Sequence, residues 1–509
     1  MVESTLSETV LWSGLRAVLT ASLALVPLLI LHRAWQGLAD VRLKWLAAFP
    51  AGLPFFIPEL LIGFNYRVQA TVWAARLAPD WNAVFTEGLY GLIQLLRAVA
   101  AGTLMLLILP RDPATASGIR VWQLLQPVTG STQWLCGFLR LRVEGDWAGW
   151  TAAWCVMSLV VFQEFETAAL MQIDRHPLAW SVWMFDVHAA RQPLADSLRM
   201  SLGPLLFEFL LLSPAAFVIW LRRESAGREL VSASGEHRSA GPLTTTFAVI
   251  WGLTGIAVLI AFPMLRMGRE AADGIWLLLV TPRLLRQSLE QVLTSTLISF
   301  GAAVVASSVC GLLLGLIERH RDRRKAAAAA ILAILLLPGF AGPLLISLTL
   351  LAVFQLPVLL PLYDTWLPLI LGLMLAVLPR ALALQLLLRL AGTSESIFLG
   401  GLLRGSGVAS VRRAGAGILW RLVDVRWAGA VLLLTQWCFW DVTTTSILRP
   451  LSPEPAVTRM YNEMHFARTE ALLGLTAVAG VLPVILGLAG MLVMWILRTK
   501  KDTKQSFVS

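Results

Sequence analysis

Long apolar runs alternate along this chain with short polar segments that contain arginine. A helix needs about 20 residues to cross a hydrocarbon layer of about 30 Å, and eleven runs reach about that length. The predicted spans are 10–31, 46–64, 88–109, 147–168, 200–220, 244–265, 292–317, 328–353, 366–390, 427–447 and 471–497. The pattern predicts an all-α fold, a polytopic transmembrane helical bundle, because runs this long and apolar can satisfy their backbone in lipid only as helices.

Composition agrees with a membrane protein, since 57% of the residues are hydrophobic, 14% are charged and the mean hydropathy is +0.73. A soluble chain would have nearer a quarter charged residues. The net charge of +10 could indicate nucleic acid, but Arg and Lys also collect in the cytoplasmic loops of membrane proteins. We therefore expect the lipid bilayer as a partner and no nucleic acid.

Basic residues set the expected orientation. Six arginine- or lysine-bearing segments follow spans one, three, five, seven, nine and eleven, with the densest at Arg319–Lys325; only Arg266–Arg286 argues for the other side. The positive-inside rule then places the N-terminus outside and the C-terminus in the cytoplasm. Acidic Glu3 and Glu8 precede the first span, which is unlike a cleaved signal.

One passage occurs twice. The first copy contains Trp147–Gly149 and then 162–167, reading Phe-Gln-Glu-Phe-Glu-Thr; the second contains Trp427–Gly429 and then 439–444, reading Phe-Trp-Asp-Val-Thr-Thr. Spans one to five resemble spans seven to eleven in order, which predicts two parallel repeats of a five-helix core. The predicted domains are 1–223, a cytoplasmic linker 224–243, and 244–509 with one extra leading helix.

The sequence lacks the usual signs of an enzyme. Its four cysteines are scattered, with neither metal-ligand spacing nor a disulfide framework. It contains no phosphate-binding loop with its lysine and no His-Glu-x-x-His. We expect no catalytic residues, no metal and no cofactor.

Carboxylates inside the spans are candidate site residues, because ionisable groups at membrane depth usually face a cavity or a partner. Glu164 and Glu166 in span four, with Asp441 and Thr444 in span ten, occupy corresponding outer ends. They could line a substrate path that attracts cations. They could equally be interfacial carboxylates that reach headgroup water.

Arg97 and Arg380 occupy equivalent, deeper positions in spans three and nine. They could pair with those carboxylates or contact an anionic substrate, and structural pairing or snorkelling is the alternative. Arg16 and Glu208 have no matched copy and receive no role.

Two basic, glycine-bearing loops, Pro110–Arg142 and Gly392–Arg426, precede the repeated passages. A docking helix needs a glycine where the backbone turns, an apolar face and basic flanks. Leu399–Val411 followed by Arg412 and Arg413 could provide them. The alternative is an ordinary basic loop that anchors the topology.

The loop and the chain layout resemble the permease subunit of binding-protein-dependent ABC importers, in the fused two-domain branch that serves ferric iron, thiamine or polyamines. Gly407 matches the family's loop glycine and Leu419 its leucine; Gly130 lines up in the first half. Gly401–Leu403 stands in place of Glu-Ala-Ala, and Trp420 replaces the proline. The resemblance implies a bacterial cytoplasmic (inner) membrane as the location. It also implies an ATP-binding cassette ATPase dimer docked on the two loops and an extracytoplasmic substrate-binding protein.

Two other functions remain open. A secondary transporter with parallel repeats would need no ATPase, although span ten has no Gly or Pro break at mid-depth. A membrane-embedded enzyme or a scaffold would be favoured by a buried polar cluster.

Overall fold

The structure is a computed structural model that describes most of the chain and contains only helices and turns in the residues it describes. The described residues are 5–36, 38, 51–76, 79–108, 121, 137, 146–171, 179–190, 192–222, 241–319, 323–391, 394–465, 473–482 and 485. Contacts divide the chain into two units, Met1–Leu265 and Arg266–Ser509.

Unit 1 is built on the packing of its long helices. Its elements are α1 (Leu6–Gln36), a 3-10 turn (Leu53–Phe56), α2 (Glu59–Ala74), α3 (Pro79–Ile108), α4 (Asp146–Phe162), α5 (Glu166–Met171), α6 (Trp180–Ala189), α7 (Leu194–Arg222) and α8 (Pro242–Ile256). The helices α1, α3 and α4 pack on one another, and α7 packs on α4. Leucine and phenylalanine side chains remain exposed on α7, as expected of a surface that faces lipid.

Unit 2 follows after α9 (Phe262–Val280), within which the division between the units falls. Its remaining elements are α10 (Pro282–Arg319), α11 (Arg323–Phe354), α12 (Leu360–Tyr363), α13 (Trp366–Ala391), α14 (Ser394–Arg404), α15 (Ala409–Leu419), α16 (Val425–Phe439), α17 (Val442–Leu448), α18 (Ala456–His465) and α19 (Leu473–Leu482). Its core is formed by α10, α11, α13 and α16.

Seven helices in the described residues are long and apolar enough to cross a membrane. They are Leu6–Trp35, Trp81–Leu107, Leu194–Val218, Pro242–Leu265, Pro282–Ile317, Ala326–Phe354 and Trp366–Arg389. They correspond to predicted spans one, three and five to nine. The fold is therefore a membrane-embedded, multi-pass helical bundle, as predicted.

Predicted span two is not one helix in its described part. The chain makes the 3-10 turn at Leu53–Phe56, becomes extended at Ile57 (φ −81°, ψ 133°) and begins α2 only at Glu59. Pro58 explains the interruption, because a proline disfavours helical geometry in the residue before it. The helix then continues to Ala74, ten residues beyond the predicted end at 64.

The helix α11, which corresponds to predicted span eight, is kinked. Gly342 lies between Pro338 and Pro343 inside α11 and has φ 85° and ψ 160°, which is not helical. Glycine reaches positive φ without the steric penalty that a Cβ atom would add.

Predicted spans four and ten are also interrupted. The helix α4 ends at Phe162 and α5 begins at Glu166; α16 ends at Phe439 and α17 begins at Val442. The two interruptions fall at the same place in the repeated passage, directly after its phenylalanine.

The sixth predicted span, 244–265, lies in unit 1 and contacts α2. The Tyr66 hydroxyl donates to the carbonyl oxygen of Val258 at 2.6 Å, and the Tyr66 and Phe262 rings stack at 5.8 Å. A polar tyrosine tip and an aromatic stack fix this helix to α2. Sequence similarity between repeats carries no information on where an unmatched helix packs.

The crossing of α11 and α13 yields a testable prediction. A Cβ atom on Gly339 would lie 2.5 Å from Pro379 Cδ and 2.7 Å from the carbonyl oxygen of Leu375. We expect Gly339→Ala to lower the free energy of unfolding by about 1–3 kcal/mol through overpacking, measured by thermal unfolding in detergent. Gly301→Ala on α10 is the control, since nothing lies within 4 Å of its Cβ position; equal stability of the two variants would contradict the close crossing.

Candidate functional site

The interruption between α4 and α5 is held by the side chain of Glu164. Its Oε1 accepts the Thr167 N–H at 2.5 Å, and its Oε2 accepts the Ala168 N–H at 3.0 Å and the Tyr90 hydroxyl at 2.7 Å. The Thr167 and Ala168 N–H groups are backbone donors in the first turn of α5, where the helix has no carbonyl partner for them. Glu164 is 3% exposed, so this carboxylate is a buried helix cap.

Glu166 caps a different helix. Its Oε2 accepts the Leu60 N–H at 3.0 Å, in the first turn of α2. A carboxylate at this position also interacts favourably with the positive end of the helix dipole. The α5 segment and α2 also approach closely, since a Cβ atom on Gly63 would lie 2.9 Å from Thr167 Cα.

An ion pair completes the buried cluster of unit 1. Arg97 Nη2 donates to Glu59 Oε1, and Arg97 is 2% exposed. Glu164 and Glu166 also interact electrostatically with Arg97. The arginine therefore pairs chiefly with a carboxylate from the start of α2, and it has the two predicted carboxylates as further neighbours.

The α4–α5 interruption begins beside the middle of α7. Gln163 Nε2 donates to Glu208 Oε1 at 3.0 Å, and Glu208 is the middle residue of α7. Gln163, the first residue of the interruption, is thus level with the midpoint of α7.

In unit 2, Asp441 has the equivalent capping position. Its Oδ1 accepts the Thr444 N–H at 2.9 Å and its Oδ2 accepts the Thr444 hydroxyl at 2.9 Å. The offset of three residues is the same as between Glu164 and Thr167. Cys438 Sγ contacts the carbonyl oxygen of Leu373 at 3.9 Å, so this interruption is near the first turns of α13.

Arg380 contacts an aromatic ring in unit 2. Its Cζ atom lies 5.2 Å from the ring centroid of Trp437, in a cation–π contact. Trp437 belongs to α16, so Arg380 joins α13 to the helix that ends at the interruption.

A serine from the first long helix caps a later helix in each unit. Ser13 Oγ accepts the Trp180 N–H at 3.0 Å, and Ser295 Oγ accepts the Ala456 N–H at 2.9 Å. Ser13 and Ser295 are at equivalent places in the aligned spans one and seven, because Glu8 aligns with Glu290. Each unit thus uses the same side chain for the same purpose.

Arg16 acquires a partner in the structure. Its Nε and Nη2 donate to the two carboxylate oxygens of Glu87 at 2.6 and 3.1 Å, and its Cζ lies 5.0 Å above the Tyr90 ring. A two-pronged arginine–carboxylate pair fixes both side chains.

The predicted docking loop of unit 2 is a helical hairpin. The helices α14 and α15 are joined by a turn at 405–408, in which the Gly405 N–H donates to the carbonyl oxygen of Gly401 at 3.1 Å. The segment Leu399–Val411 is therefore not one continuous helix, since the chain turns in its middle. Gly407 lies exposed in that turn.

Backbone contact holds the hairpin together. A Cβ atom on Gly415 would lie 2.4 Å from the Arg404 nitrogen and 2.7 Å from the carbonyl oxygen of Gly400. Leu419 packs on Gly400, 3.2 Å from the position of its Cβ. Leu419 thus belongs to the interior of the hairpin.

The outer face of the hairpin is apolar. Phe398 is 70%, Leu399 51% and Leu402 59% exposed on α14. Arg412 is half-buried and Arg413 is exposed on α15. The first predicted docking loop, with Gly130, lies outside the described residues.

The hairpin and the Asp441 interruption are the two ends of one helical rod. The helix α15 passes through a π-helical turn at Trp420–Asp424 into α16 with helical backbone throughout. At 1.5 Å per residue, the rod from Ala409 to Phe439 is about 45 Å long.

Sequence reasoning missed Glu59 and Tyr90. Tyr90, Gln94 and Arg97 have the i, i+4, i+7 spacing of one helix face, and this spacing could have revealed a polar stripe on α3. Glu59 directly follows Pro58, which is typical of the first turn of a helix.

Comparisons with protein-family models, with curated proteins and with solved structures gave no match to this chain. The fold alone therefore indicates the class of protein. The apolar helical bundle is compatible with a membrane transporter.

The buried ion pair gives a second prediction. Glu59→Gln leaves Arg97 buried without its carboxylate. We expect the free energy of unfolding to fall by about 3 kcal/mol. This value is at the low end for a buried pair, because the Glu59 side chain is 22% exposed. Glu290→Gln, which removes the exposed pair with Arg286, is the control and should not shift the melting temperature. A melting curve of Glu59→Gln that overlays the wild type would show that the pair contributes nothing.

The hairpin gives a third prediction. Gly415→Ala should separate α14 from α15, because the added methyl group meets backbone atoms that cannot rotate away. We expect faster proteolysis of the 394–419 segment in the folded protein. Gly417→Ala on the same helix has open space and should be cut at the wild-type rate. Equal cleavage of both variants would argue against backbone contact at Gly415.

Proposed function

We propose that this chain is the transmembrane permease of an ABC importer. It carries a small substrate of the ferric iron, thiamine or polyamine class across the inner membrane by alternating access. A separate ATPase dimer drives it, and an extracytoplasmic binding protein delivers the substrate.

The exposed hairpin is the observation that carries the proposal. It stands between two helices of the bundle, α13 and α16, and presents Phe398, Leu399 and Leu402 outward. A short helix with an apolar face is the form that a protein groove accepts. Its arginines match the cytoplasmic side predicted by the positive-inside rule.

The rod from α15 to α16 supports coupling. A force applied to the hairpin would act along a continuous helix that ends at the Asp441 cap. The π-helical turn within the rod supports this too, since such turns are frequent at functional sites.

The parallel repeat has independent support. Glu164 and Asp441 cap the residue three positions later, and Ser13 and Ser295 cap α6 and α18 at aligned positions. Two halves that use the same caps fit the expected pair of transmembrane domains.

The predicted substrate path finds less support. Glu164 and Glu166 accept backbone N–H groups and are buried. Their oxygens hold the fold in this conformation, so the preference for a cation does not rest on them.

A secondary transporter is the second candidate, and one observation favours it. The α4–α5 interruption is level with the middle of α7, and interrupted helices at mid-depth form the ion sites of such transporters. The interruption contains neither Gly nor Pro, so sequence alone could not reveal it. Uptake that survives ATP depletion would support this candidate over the first.

Docking on the hairpin is tested by the double variant Phe398→Ser, Leu402→Ser. Because both side chains are already exposed, the fold should survive, while recovery of the ATPase subunit in a pulldown from the native host should fall at least tenfold. A loss of about 1.4 kcal/mol at the interface is enough for that change.

Val358→Ser is the matched control. Val358 is 87% exposed in the segment before α13, at the end of that helix away from the hairpin. ATPase recovery should be that of the wild type. Recovery that is equal in all three proteins, or absent from the wild type in both detergent and nanodiscs, would exclude the hairpin as an ATPase docking element.

A further inference from the structure

Most carboxyl groups within the helices of unit 1 have a partner that stabilises a negative charge. Glu59 and Glu87 pair with arginines, and Glu164 and Glu166 accept backbone N–H groups. Glu208 differs from all four. Among the described residues, its only hydrogen bond is to the neutral amide of Gln163.

Glu208 is also deeply placed. It is the middle residue of α7 and is 1% exposed. Its Oε1 accepts from Gln163 Nε2 at 3.0 Å, while its Oε2 is buried with no hydrogen-bond partner among the described residues.

An ionised carboxylate could not persist in these surroundings. Burying an unpaired charge costs several kcal/mol even after relaxation, and one neutral hydrogen bond returns about 1.5–3 kcal/mol at most when it is made to a charged group. Buried groups of this kind become neutral instead. We propose that Glu208 is a proton-binding site, and that it is a neutral carboxylic acid in this structure.

The elements that pack on α7 are α1, α4 and α6. We considered the titratable groups of these three helices and of the α4–α5 interruption. Those away from the ends of α1 and α4, together with those of α6 and the interruption, are Arg16, Cys155, Glu164, Glu166, Asp186 and His188. Glu8 and Asp146 lie in the first turns of α1 and α4, and His32 and Arg33 lie near the end of α1.

None of these groups supplies a positive charge to Glu208. Arg16 is engaged by Glu87, and Asp186 is exposed. His188 is half-buried in the last turn of α6. Within the described residues, the one hydrogen bond of the Glu208 carboxyl comes from the Gln163 amide.

The position of Gln163 relates the proton to conformation. Gln163 is the first residue of the interruption between α4 and α5. A movement there would break the hydrogen bond and admit water to Glu208, which would then release its proton. The inference goes beyond ATP-driven import and does not depend on it, because the bound proton can be observed in the isolated chain.

Infrared spectroscopy of the full chain in lipid nanodiscs tests the proposal. At neutral pH, the wild type should show the C=O stretching band of a protonated carboxyl group, and Glu208→Gln should lose it. Gln163→Leu should keep the band and shift it to higher frequency, since the neutral C=O loses its donor. Glu290→Gln, at an exposed side chain of unit 2, should leave it unchanged.

Absence of the band from the wild type at neutral pH overturns the proposal, and so does a band that persists unchanged in Glu208→Gln. If Glu208→Gln does not assemble, the comparison of wild type with Gln163→Leu decides, because a band that does not shift excludes Glu208 as its source. None of these readouts involves an ATPase, so the result is separate from the pulldown.

Discussion

The satisfaction of backbone hydrogen bonds inside an apolar bundle is the constraint on which this structure depends. Each new helix leaves its first N–H groups without an internal partner, and lipid offers none. Glu164 and Asp441 meet this need where the membrane helices are interrupted, and Ser13 and Ser295 meet it at α6 and α18. These polar residues within the bundle are thus explained by the need to pair the first N–H groups of each helix.

The caps also connect helices that are distant in sequence. Glu166 joins the interruption to the start of α2, and Tyr90 joins it to α3. Because buried polar groups are costly to leave unpaired, the interruption cannot move without its neighbours. A carboxylate that looks like a substrate ligand in the sequence can therefore serve to connect helices through hydrogen bonds.

Sequence alone predicts the long helices well, because an apolar run of 24 or more residues such as α10 admits one interpretation. It does not predict the interruptions, since neither 163–165 nor 440–441 contains glycine or proline. The capping partners of Glu166 and Ser13 lie 106 and 167 residues away along the chain, and no local pattern identifies them. The turn of the hairpin could have been predicted from the sequence, because Gly405-Ser406-Gly407 is typical of a chain reversal.

The two units use their shared design differently. In unit 2, the interruption is the end of a rod that begins in the exposed hairpin, and Arg380 holds that rod to α13 through Trp437. In unit 1, the interruption carries Gln163, whose amide contacts the uncompensated Glu208. A motion transmitted along such a rod needs a rigid hairpin, which the backbone contact at Gly415 provides. A change in protonation needs only a small opening at 163–165. If both proposals hold, the interruption in one unit would respond to a docked protein and the interruption in the other to a proton.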